Sequence, residues 1–345
     1  MFEIVVTLVK LGVVVGALMG AVSVMTWVER RVSAWIQDRY GPNRVGPFGL
    51  FQPIADGVKF IMKEDITPAD AHKPLYTLAP ALAMIPALCA FAVIPFGPTV
   101  EILGRTVDLV VVNLNGGVLF AFAAASLGVY GIVCAGWSSR NKYSLMGGLR
   151  SSAQMISYEL ALTLSVMGVV LVAGTLRPTE IVEQQGGWFW NWNAFRGGWQ
   201  LLGFLIFVIA GYAETNRAPF DLPEAESELV AGYHTEYSSM KFAMFFMSEY
   251  INMVTSASLA VTLFLGGWQI GFPVPLEGWP LWGLQILAFL VKVSFFLFLF
   301  VWVRWTLPRF RYDHLMNLGW KALFPLALAN VMATALLVAL GVVGR

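Results

Sequence analysis

The chain of 345 residues is poor in charge and in cysteine. Only 12% of its residues are charged, about half the share that is usual in soluble globular proteins. Hydrophobic residues make up 58% of the chain, and the mean hydropathy is +0.70. This balance excludes an ordinary soluble domain and indicates a chain that folds in lipid. The net charge of +1, without a basic tail, excludes the usual footprint of a nucleic-acid-binding protein.

Patterns that bind metals or nucleotides are also missing from the sequence. Cys89 and Cys134 lie in apolar runs and are too few for a disulfide scaffold or an iron–sulfur site. The three histidines occupy separate polar segments without metal-ligand spacing, so we expect surface or loop roles for them. No glycine-rich phosphate loop occurs. The sequence therefore predicts no metal site and no cofactor bound by this chain itself.

Long apolar runs predict an all-α membrane protein with about eight spans and a single polytopic domain over residues 1–345. A helix needs about 20 apolar residues to cross the hydrocarbon core of a bilayer. We read the first run as a span and not as a cleaved signal, because it is too long and has no small-residue cleavage site. The predicted spans are Ile4–Val28, Leu75–Phe96, Val118–Trp137, Ala153–Ala173, Trp199–Ala213, Phe242–Leu265, Leu281–Trp305 and Ala322–Val343.

Lysine and arginine are distributed unevenly between the two sets of connecting loops. The loops 29–74, 138–152, 215–241 and 306–321 carry fifteen of them, and the opposite side carries four. Because cytoplasmic loops are enriched in basic residues, the first set is expected in the cytoplasm and both termini on the outer side.

The segment Leu50–Glu64 predicts an amphipathic helix and not a span. Its apolar residues fall on one helical face, and Asp56, Lys59 and Lys63 fall toward the other. We expect this helix to lie along the membrane surface or under a docked partner.

Several ionisable residues lie inside the predicted spans, where charge is costly and usually functional. Glu159, Glu249 and Lys292 are too deep to reach water by extending their side chains, so we expect them to be buried and functional. Two readings stay open for the residues near span ends. Glu29 and Arg30 are either interfacial anchors or part of a site, and Arg304 either extends to the interface or joins that site.

The segment that follows the fifth span is the richest in acids. Its carboxylates alternate with rigid and apolar residues, which argues against a freely solvated loop, and Arg217 is the one base close in sequence. Like charges held close together favour proton uptake by one of them, as a proton relay requires. The acids of this segment are Glu214, Asp221, Glu224, Glu226 and Glu228.

The same segments resemble a known family. The stretches that carry the resemblance are Glu29-Arg-Arg, Arg39-Tyr-Gly-Pro-Asn-Arg-Val-Gly-Pro, Gln52-Pro-Ile-Ala-Asp-Gly-Val-Lys, Gln154-Met-Ile-Ser-Tyr-Glu, Ala213-Glu-Thr-Asn-Arg-Ala-Pro-Phe-Asp-Leu-Pro-Glu-Ala-Glu-Ser-Glu-Leu-Val and Pro308-Arg-Phe-Arg-Tyr-Asp-His-Leu-Met. They are similar, in order and over essentially the whole chain, to the H-type membrane component of the proton-pumping NADH:quinone oxidoreductase, respiratory complex I.

The resemblance implies a function that composition does not. Such a subunit builds much of the ubiquinone tunnel at the junction with the peripheral arm and couples quinone reduction to proton translocation. Ubiquinone is then the substrate, while FMN and iron–sulfur clusters belong to partner subunits. The partners are the peripheral subunits of the quinone site and the adjacent antiporter-like membrane subunits. The location is the bacterial inner membrane, with the mitochondrial inner membrane as the alternative.

The resemblance also distributes roles among the charged residues. Those implied near the quinone tunnel are Glu29, Arg30, Asp56, Arg217, Asp221 and Arg304. Those implied in the proton path and its coupling are Glu159, Glu214, Glu249, Glu224, Glu226, Glu228 and Lys292, the last with a less certain role.

Two other functions remain open at this point. A proton-coupled solute transporter also uses carboxylates near the membrane midplane, although internal repeats typical of many transporters are not visible here. The membrane subunit of a related membrane-bound hydrogenase is the second alternative. The intact Arg39–Pro47 stretch looks more like the quinone-linked family.

Overall fold

The computed structural model describes residues 2–102, 104–196, 198–222 and 226–342, and helices dominate these ranges. Strands β1 (Val100–Ile102) and β2 (Arg105–Val107) form an antiparallel hairpin in which Val100 pairs with Val107. A π-helical stretch at Leu318–Leu323 joins the last two helices. The α-helices are α1 (Phe2–Ile36), α2 (Gln52–Met62), α3 (Lys73–Phe91), α4 (Gly117–Ser138), α5 (Lys142–Ala173), α6 (Pro178–Glu183), α7 (Gln200–Glu214), α8 (Glu226–Leu229), α9 (Ser239–Phe264), α10 (Trp279–Thr306), α11 (Tyr312–Asn317) and α12 (Phe324–Ala339).

Six helices of the described chain are long and apolar enough to cross a membrane. They are α1, α3, α4, α5, α10 and the continuous run Tyr312–Ala339. Helix α7 is apolar, but its 15 residues extend only about 22 Å, less than the hydrocarbon thickness. The all-helical membrane class is confirmed, and the count of eight spans stays a prediction.

Helix α9 is long enough to span but too polar to belong to that group of six. It carries Glu249 and several hydroxyl residues, among them Thr255 and Ser258. It packs against α1, α3, α7 and α10, and nearly all of residues 250–264 are buried. Because protein surrounds α9, it does not need the apolar surface that a lipid-facing helix requires.

Two long helices extend beyond the predicted spans. Helix α1 continues past Val28 to Ile36, so the charged residues at 29–31 lie within the helix. Helix α5 begins at Lys142, well before the predicted start at Ala153, and the side chain of Asn141 caps it by accepting a hydrogen bond from the Tyr143 backbone N–H. Charged and polar segments are therefore rigidly helical on this side of the fold.

The acid-rich connection between α7 and α9 is packed against the helices. The side-chain amide of Gln154 on α5 donates hydrogen bonds to the backbone carbonyls of Ala213 and Phe220, each at 2.8 Å. Tyr76 on α3 stacks on Tyr237 with ring centroids 4.2 Å apart. These contacts hold the connection against α5 and α3, so its carboxylates lie close to other parts of the protein.

Helix α2 lies within the predicted Leu50–Glu64 segment. Its apolar residues, including Ile54 and Ile61, are exposed in this chain. The hydroxyl of Ser239 at the start of α9 donates to the Phe60 carbonyl at 2.9 Å. The position of α2 at the membrane surface stays a prediction.

Lys292 lies in the middle of α10 and closes the carboxyl end of α9. Its ammonium donates to the backbone carbonyls of Leu265, Gly267 and Gln269 at 2.7, 3.1 and 2.6 Å. It also lies over the Trp192 ring, 4.1 Å from the centroid. A charged donor is favourable there because these carbonyls, in the segment that directly follows α9, need hydrogen-bond partners where water is excluded.

We predict that Gly147→Ala destabilises the fold. A Cβ at position 147 of α5 would lie 2.7 Å from the backbone of Gly232 and of Tyr233. Overpacking of this kind costs about 1–3 kcal/mol. The unfolding temperature of the protein in detergent should fall, whereas Gly283→Ala, where a Cβ meets nothing within 4 Å, should leave it unchanged or raise it slightly. Equal unfolding temperatures for the two variants would contradict this packing.

We also predict that Lys292→Met lowers the unfolding temperature, because three carbonyls lose their donor. Leaving buried acceptors unsatisfied costs about 1–3 kcal/mol for each group. Lys292→Arg keeps a cation and N–H donors, so it should retain part of the stability. If Lys292→Met unfolds at the temperature of the unchanged protein, Lys292 does not stabilise the end of α9.

Candidate functional site

A buried carboxylate, that of Glu29, lies at the meeting point of four elements. It accepts a hydrogen bond from the Tyr250 hydroxyl of α9 at 2.5 Å and another from Arg304 of α10. The Arg217 guanidinium, from the connection after α7, lies 3.3 Å from its Oε2. Glu29 and Arg217 are 6% and 5% exposed. We call Glu29, Arg217, Tyr250 and Arg304 the Glu29 cluster.

The continuation of α1 past the predicted span explains this position of Glu29. The residue sits within the helix and points toward α9 and α10, so the reading as a simple interfacial anchor is wrong. Arg217 also lies over the Tyr250 ring, 4.2 Å from its centroid. Breaking a buried ion pair by removing one partner typically costs about 3–5 kcal/mol, because the other charge stays buried. The cluster therefore fixes the positions of four elements relative to one another.

Arg30, the next residue of α1, makes a different ion pair. Its guanidinium lies 2.6 Å from the Asp56 carboxylate on α2, and Lys59 approaches the same carboxylate at 3.6 Å. Successive residues of a helix point about 100° apart, so Glu29 and Arg30 face different partners. The structure thus groups Glu29, Arg217 and Arg304, and it pairs Arg30 with Asp56 separately.

Glu159 and Glu249, predicted as buried carboxylates, accept hydrogen bonds from hydroxyl groups. Ser126 on α4 donates to Glu159 on α5. The Tyr233 hydroxyl donates to Glu249 on α9 at 2.8 Å. Sequence reasoning missed both donors, since serine and tyrosine are common in membrane helices and their connections.

Glu214, at the end of α7, lines two small cavities of about 20 Å³ each. The first also contains Glu249, Asn216 and Tyr233 among its walls. The second lies between Asn252 and Thr255 of α9 and apolar residues of α4, α5 and α7. A volume of this size holds about one water molecule where polar groups line it. The Glu159 and Glu214 carboxylates are also close enough to repel each other electrostatically.

The remaining acids of the predicted acidic segment have separate environments. Arg309 holds Asp221 at 2.9 Å, and Arg150 holds Glu228 at 2.6 Å. Glu224 lies outside the described residues, as does the side chain of Glu226. Ion pairs therefore hold Asp221 and Glu228, the two acids of this set whose side chains the structure describes.

His234 lies in the same segment and is partly buried. Its ring contacts those of Tyr233 and Phe242, with centroids 4.9 and 5.2 Å away. Burial lowers the pKa of His234 to about 4, against the opposing effect of the Asp221 carboxylate, which raises it. The expected loop position of this histidine is confirmed, and its lowered pKa leaves the ring neutral near pH 7.

The structure places Lys292 at the carboxyl end of α9, in contact with the three carbonyls described above. The amino group is held by backbone carbonyls and by the Trp192 ring. In the part of the chain that the structure describes, no three metal-binding side chains converge.

An apolar groove of about 580 Å³ lies between α1, α9 and α10. Val28, the residue before Glu29, forms one part of its wall, and Phe289 and Leu297 of α10 form another. The groove therefore lies along the same helix, α1, that carries Glu29.

Comparison with known proteins identifies the family. Residues 9–335 match the family model described as NADH dehydrogenase. The second H-type component of the NADH-quinone oxidoreductase of Koribacter versatilis is 54% identical, over 97% of each chain. The H-type component of the same enzyme in Salinibacter ruber is 52% identical, over 96% of this chain and 94% of its own length. The second H-type component in Geobacter sulfurreducens is 53% identical, over 90% of this chain and 89% of its own length. The chain therefore belongs to the NADH dehydrogenase family of membrane subunits.

Proposed function

We propose that the chain is a membrane subunit of an NADH-quinone oxidoreductase, in which it builds part of the quinone tunnel and couples quinone reduction to proton movement. The names of its relatives support the assignment to this complex. The finer proposal rests on a series of neighbouring polar groups in the fold. The series begins at the Glu29 cluster, which includes Arg217. The residue before Arg217 in the chain, Asn216, lines the same small cavity as Glu214 and Glu249. The series joins a charged site beside an apolar groove to carboxylates that are partly buried between helices.

The Glu29 cluster suits the polar end of a quinone tunnel. Two guanidinium groups face one carboxylate there, so the cluster carries an excess of positive charge. Positive charge stabilises the negative charge that develops on a quinone as it takes up electrons. The apolar groove beside Val28 offers a surface for an isoprenoid tail. Arg30 and Asp56 tie α1 to α2 on the other side of this site.

The partly buried carboxylates Glu159, Glu214 and Glu249 suit a proton path. Glu159 and Glu249 accept hydrogen bonds from hydroxyl groups, and Glu214 lies between the two small cavities. Moving one charge against 100 mV requires about 2.3 kcal/mol, so the free energy has to come from electron transfer in partner subunits. We assign FMN and the iron–sulfur clusters to those partners, together with the remaining walls of the tunnel and the neighbouring antiporter-like subunits.

We further propose that the chain forms one polytopic domain in a bacterial inner membrane, with α7 and α9 completing eight spans. The fifteen basic residues of one loop set then face the cytoplasm, and both termini face the periplasm. The exposed apolar face of α2 lies at the membrane surface near the peripheral arm. The oxidoreductase names of the relatives favour this reading over a proton-coupled solute transporter or a membrane component of a hydrogenase.

The tunnel assignment predicts a defect in quinone binding for Arg304→Gln. Loss of this cation should raise KM for a short-chain quinone about tenfold, equivalent to ~1.4 kcal/mol of binding free energy. The measurement is NADH:quinone reductase activity of the purified complex over a range of quinone concentrations. Arg311→Gln is the control, because Arg311 is 78% exposed and pairs with an exposed carboxylate.

Reduction of an artificial acceptor that takes electrons before the quinone should stay unchanged in both variants. An unchanged quinone KM in an assembled Arg304→Gln complex would contradict the tunnel assignment.

The coupling assignment predicts that Glu159→Gln and Glu214→Gln each lower proton pumping. Removal of a positioned proton-transfer group typically slows transfer about a hundredfold. Proton uptake or release should be measured together with NADH oxidation in complexes reconstituted into vesicles. Glu277→Gln is the matched control, since this carboxylate is exposed in the segment before α10. Normal rates and normal proton-to-electron ratios in both test variants would refute the relay.

A further inference from the structure

Gln154 of α5 is a buried donor to the connection between α7 and α9. It is fully buried, and its Nε2 donates to the backbone carbonyls of Ala213 and Phe220, each at 2.8 Å. A carboxamide has two N–H donors, so these two carbonyls use both. Its Oε1, by contrast, has no hydrogen-bond partner in the described ranges. Gln154 therefore acts as a donor that joins both ends of residues 213–220, which we call the Gln154-bound segment.

Further contacts from the same face of α5 hold this segment. The side-chain amide of Asn216 donates to the Ser151 hydroxyl at 3.2 Å, and it also lies 3.3 Å from the Gln154 amide through its oxygen. The Tyr158 ring lies against the Phe220 ring, with centroids 5.8 Å apart. Ser151, Gln154 and Tyr158 are spaced by three and four residues, so they lie on one face of the helix. One rigid helix thus sets the path of the segment.

Arg217, a member of the Glu29 cluster, lies inside the Gln154-bound segment. Its guanidinium lies 3.3 Å from the Glu29 Oε2 and 4.2 Å from the centroid of the Tyr250 ring. These two partners come from other helices, α1 and α9, so the backbone of the segment decides where Arg217 reaches. The Phe220 backbone N–H donates to the Arg217 carbonyl at 2.8 Å, which ties Arg217 to one of the two points that Gln154 holds.

The contact between Arg217 and Glu29 leaves little tolerance for movement. The Arg217 Nη1 is 3.4 and 3.3 Å from the two carboxylate oxygens, which is already long for a charge-assisted hydrogen bond. Misplacement by about 1 Å of a group that positions a substrate can cost about a hundredfold in rate. Within the described ranges, the hydrogen bonds of Gln154 go to the Gln154-bound segment and not to the Glu29 cluster. An effect of Gln154 on the cluster therefore passes through this backbone.

We propose that Gln154 is a positioning residue for the quinone site, whose side-chain amide fixes the Gln154-bound segment and thereby holds the Arg217 guanidinium against Glu29. The proposal rests on the function proposed above, in which the Glu29 cluster forms the polar end of a quinone tunnel. Arg217 provides part of the positive charge there, and Gln154 determines where that charge lies. Without the amide, the Ala213 and Phe220 carbonyls need other donors, which moves the segment and Arg217 with it.

A double-mutant cycle on the purified complex tests whether Gln154 acts through Arg217. Gln154→Met removes the donors and keeps a side chain of similar length, and we expect it to raise KM for a short-chain quinone about fivefold. Arg217→Gln should raise the same KM about tenfold. In the double variant, KM should equal that of Arg217→Gln alone, because no guanidinium is left to position. A role in stability alone would lower the yield of assembled complex and leave KM unchanged.

Gln184→Met is the matched control for the loss of a glutamine donor. Gln184 is exposed, and its side-chain amide also donates to a backbone carbonyl, that of Ala173 at the last residue of α5, at 3.1 Å. This control should keep the quinone KM of the unchanged complex. Reduction of an artificial acceptor that takes electrons before the quinone should stay unchanged in every variant.

Gln154→Asn is the second test variant if Gln154→Met does not assemble. It keeps the amide but is one methylene shorter, so we expect it to lose one of the two hydrogen bonds and to raise the quinone KM about threefold. If Arg217→Gln does not assemble, Arg217→Lys takes its place, because lysine keeps the charge and loses the fork of donors. The two effects should then combine to less than their product.

Two results would overturn the inference alone. One is an unchanged quinone KM in an assembled Gln154 variant. The other is a Gln154 effect that persists at full size on top of the Arg217 substitution, since such an effect does not pass through Arg217. An assembled Arg217 variant with an unchanged quinone KM would instead show that the Glu29 cluster lies away from the quinone, and the proposed tunnel assignment would fail as well.

Discussion

The burial of the Glu29 carboxylate between two arginines and a tyrosine is the interaction on which the rest of the site depends. Glu29 comes from α1, Arg217 from the connection after α7, Tyr250 from α9 and Arg304 from α10. Because an unpaired charge inside a protein is so costly, these four elements have little freedom to separate. The two features that we assign to function, the apolar groove and the small carboxylate-lined cavities, are each formed in part by residues of these same elements.

The position of α9 explains how such polar chemistry is compatible with a membrane. Neighbouring helices cover α9, so its hydroxyl groups and Glu249 do not face lipid. The helices around it are apolar and supply the lipid-facing surface. A central polar helix inside an apolar ring can position carboxylates at membrane depth without exposing them to hydrocarbon, where each would be unfavourable.

Sequence reasoning found the acids of the site more readily than their partners. Glu159 and Glu249 are conspicuous as charges in apolar runs, and the structure leaves both partly buried between helices. Their donors Ser126 and Tyr233 carry no such signal, because a hydroxyl residue is unremarkable in a helix or a connection. Glu29 and Arg30 are adjacent in sequence, but Glu29 is buried whereas Arg30 pairs with Asp56. This difference depends on which face of α1 packs against its neighbours, and the sequence does not show that. Lys292 shows the same limit, since backbone carbonyls at the end of α9 leave no trace in the sequence.

The kind of partner separates the acids that fix the structure from those suited to carry protons. Glu29, Asp56, Asp221 and Glu228 each lie against an arginine, and an arginine keeps its charge at any physiological pH. Each of these ion pairs fixes the position of a carboxylate against another part of the fold. Glu159 and Glu249 accept hydrogen bonds from neutral hydroxyl groups, which stabilise a carboxylate less strongly than a guanidinium does. In the function that we propose, the ion-paired Glu29 lies at the quinone site, whereas Glu159 and Glu249 belong to the proton path.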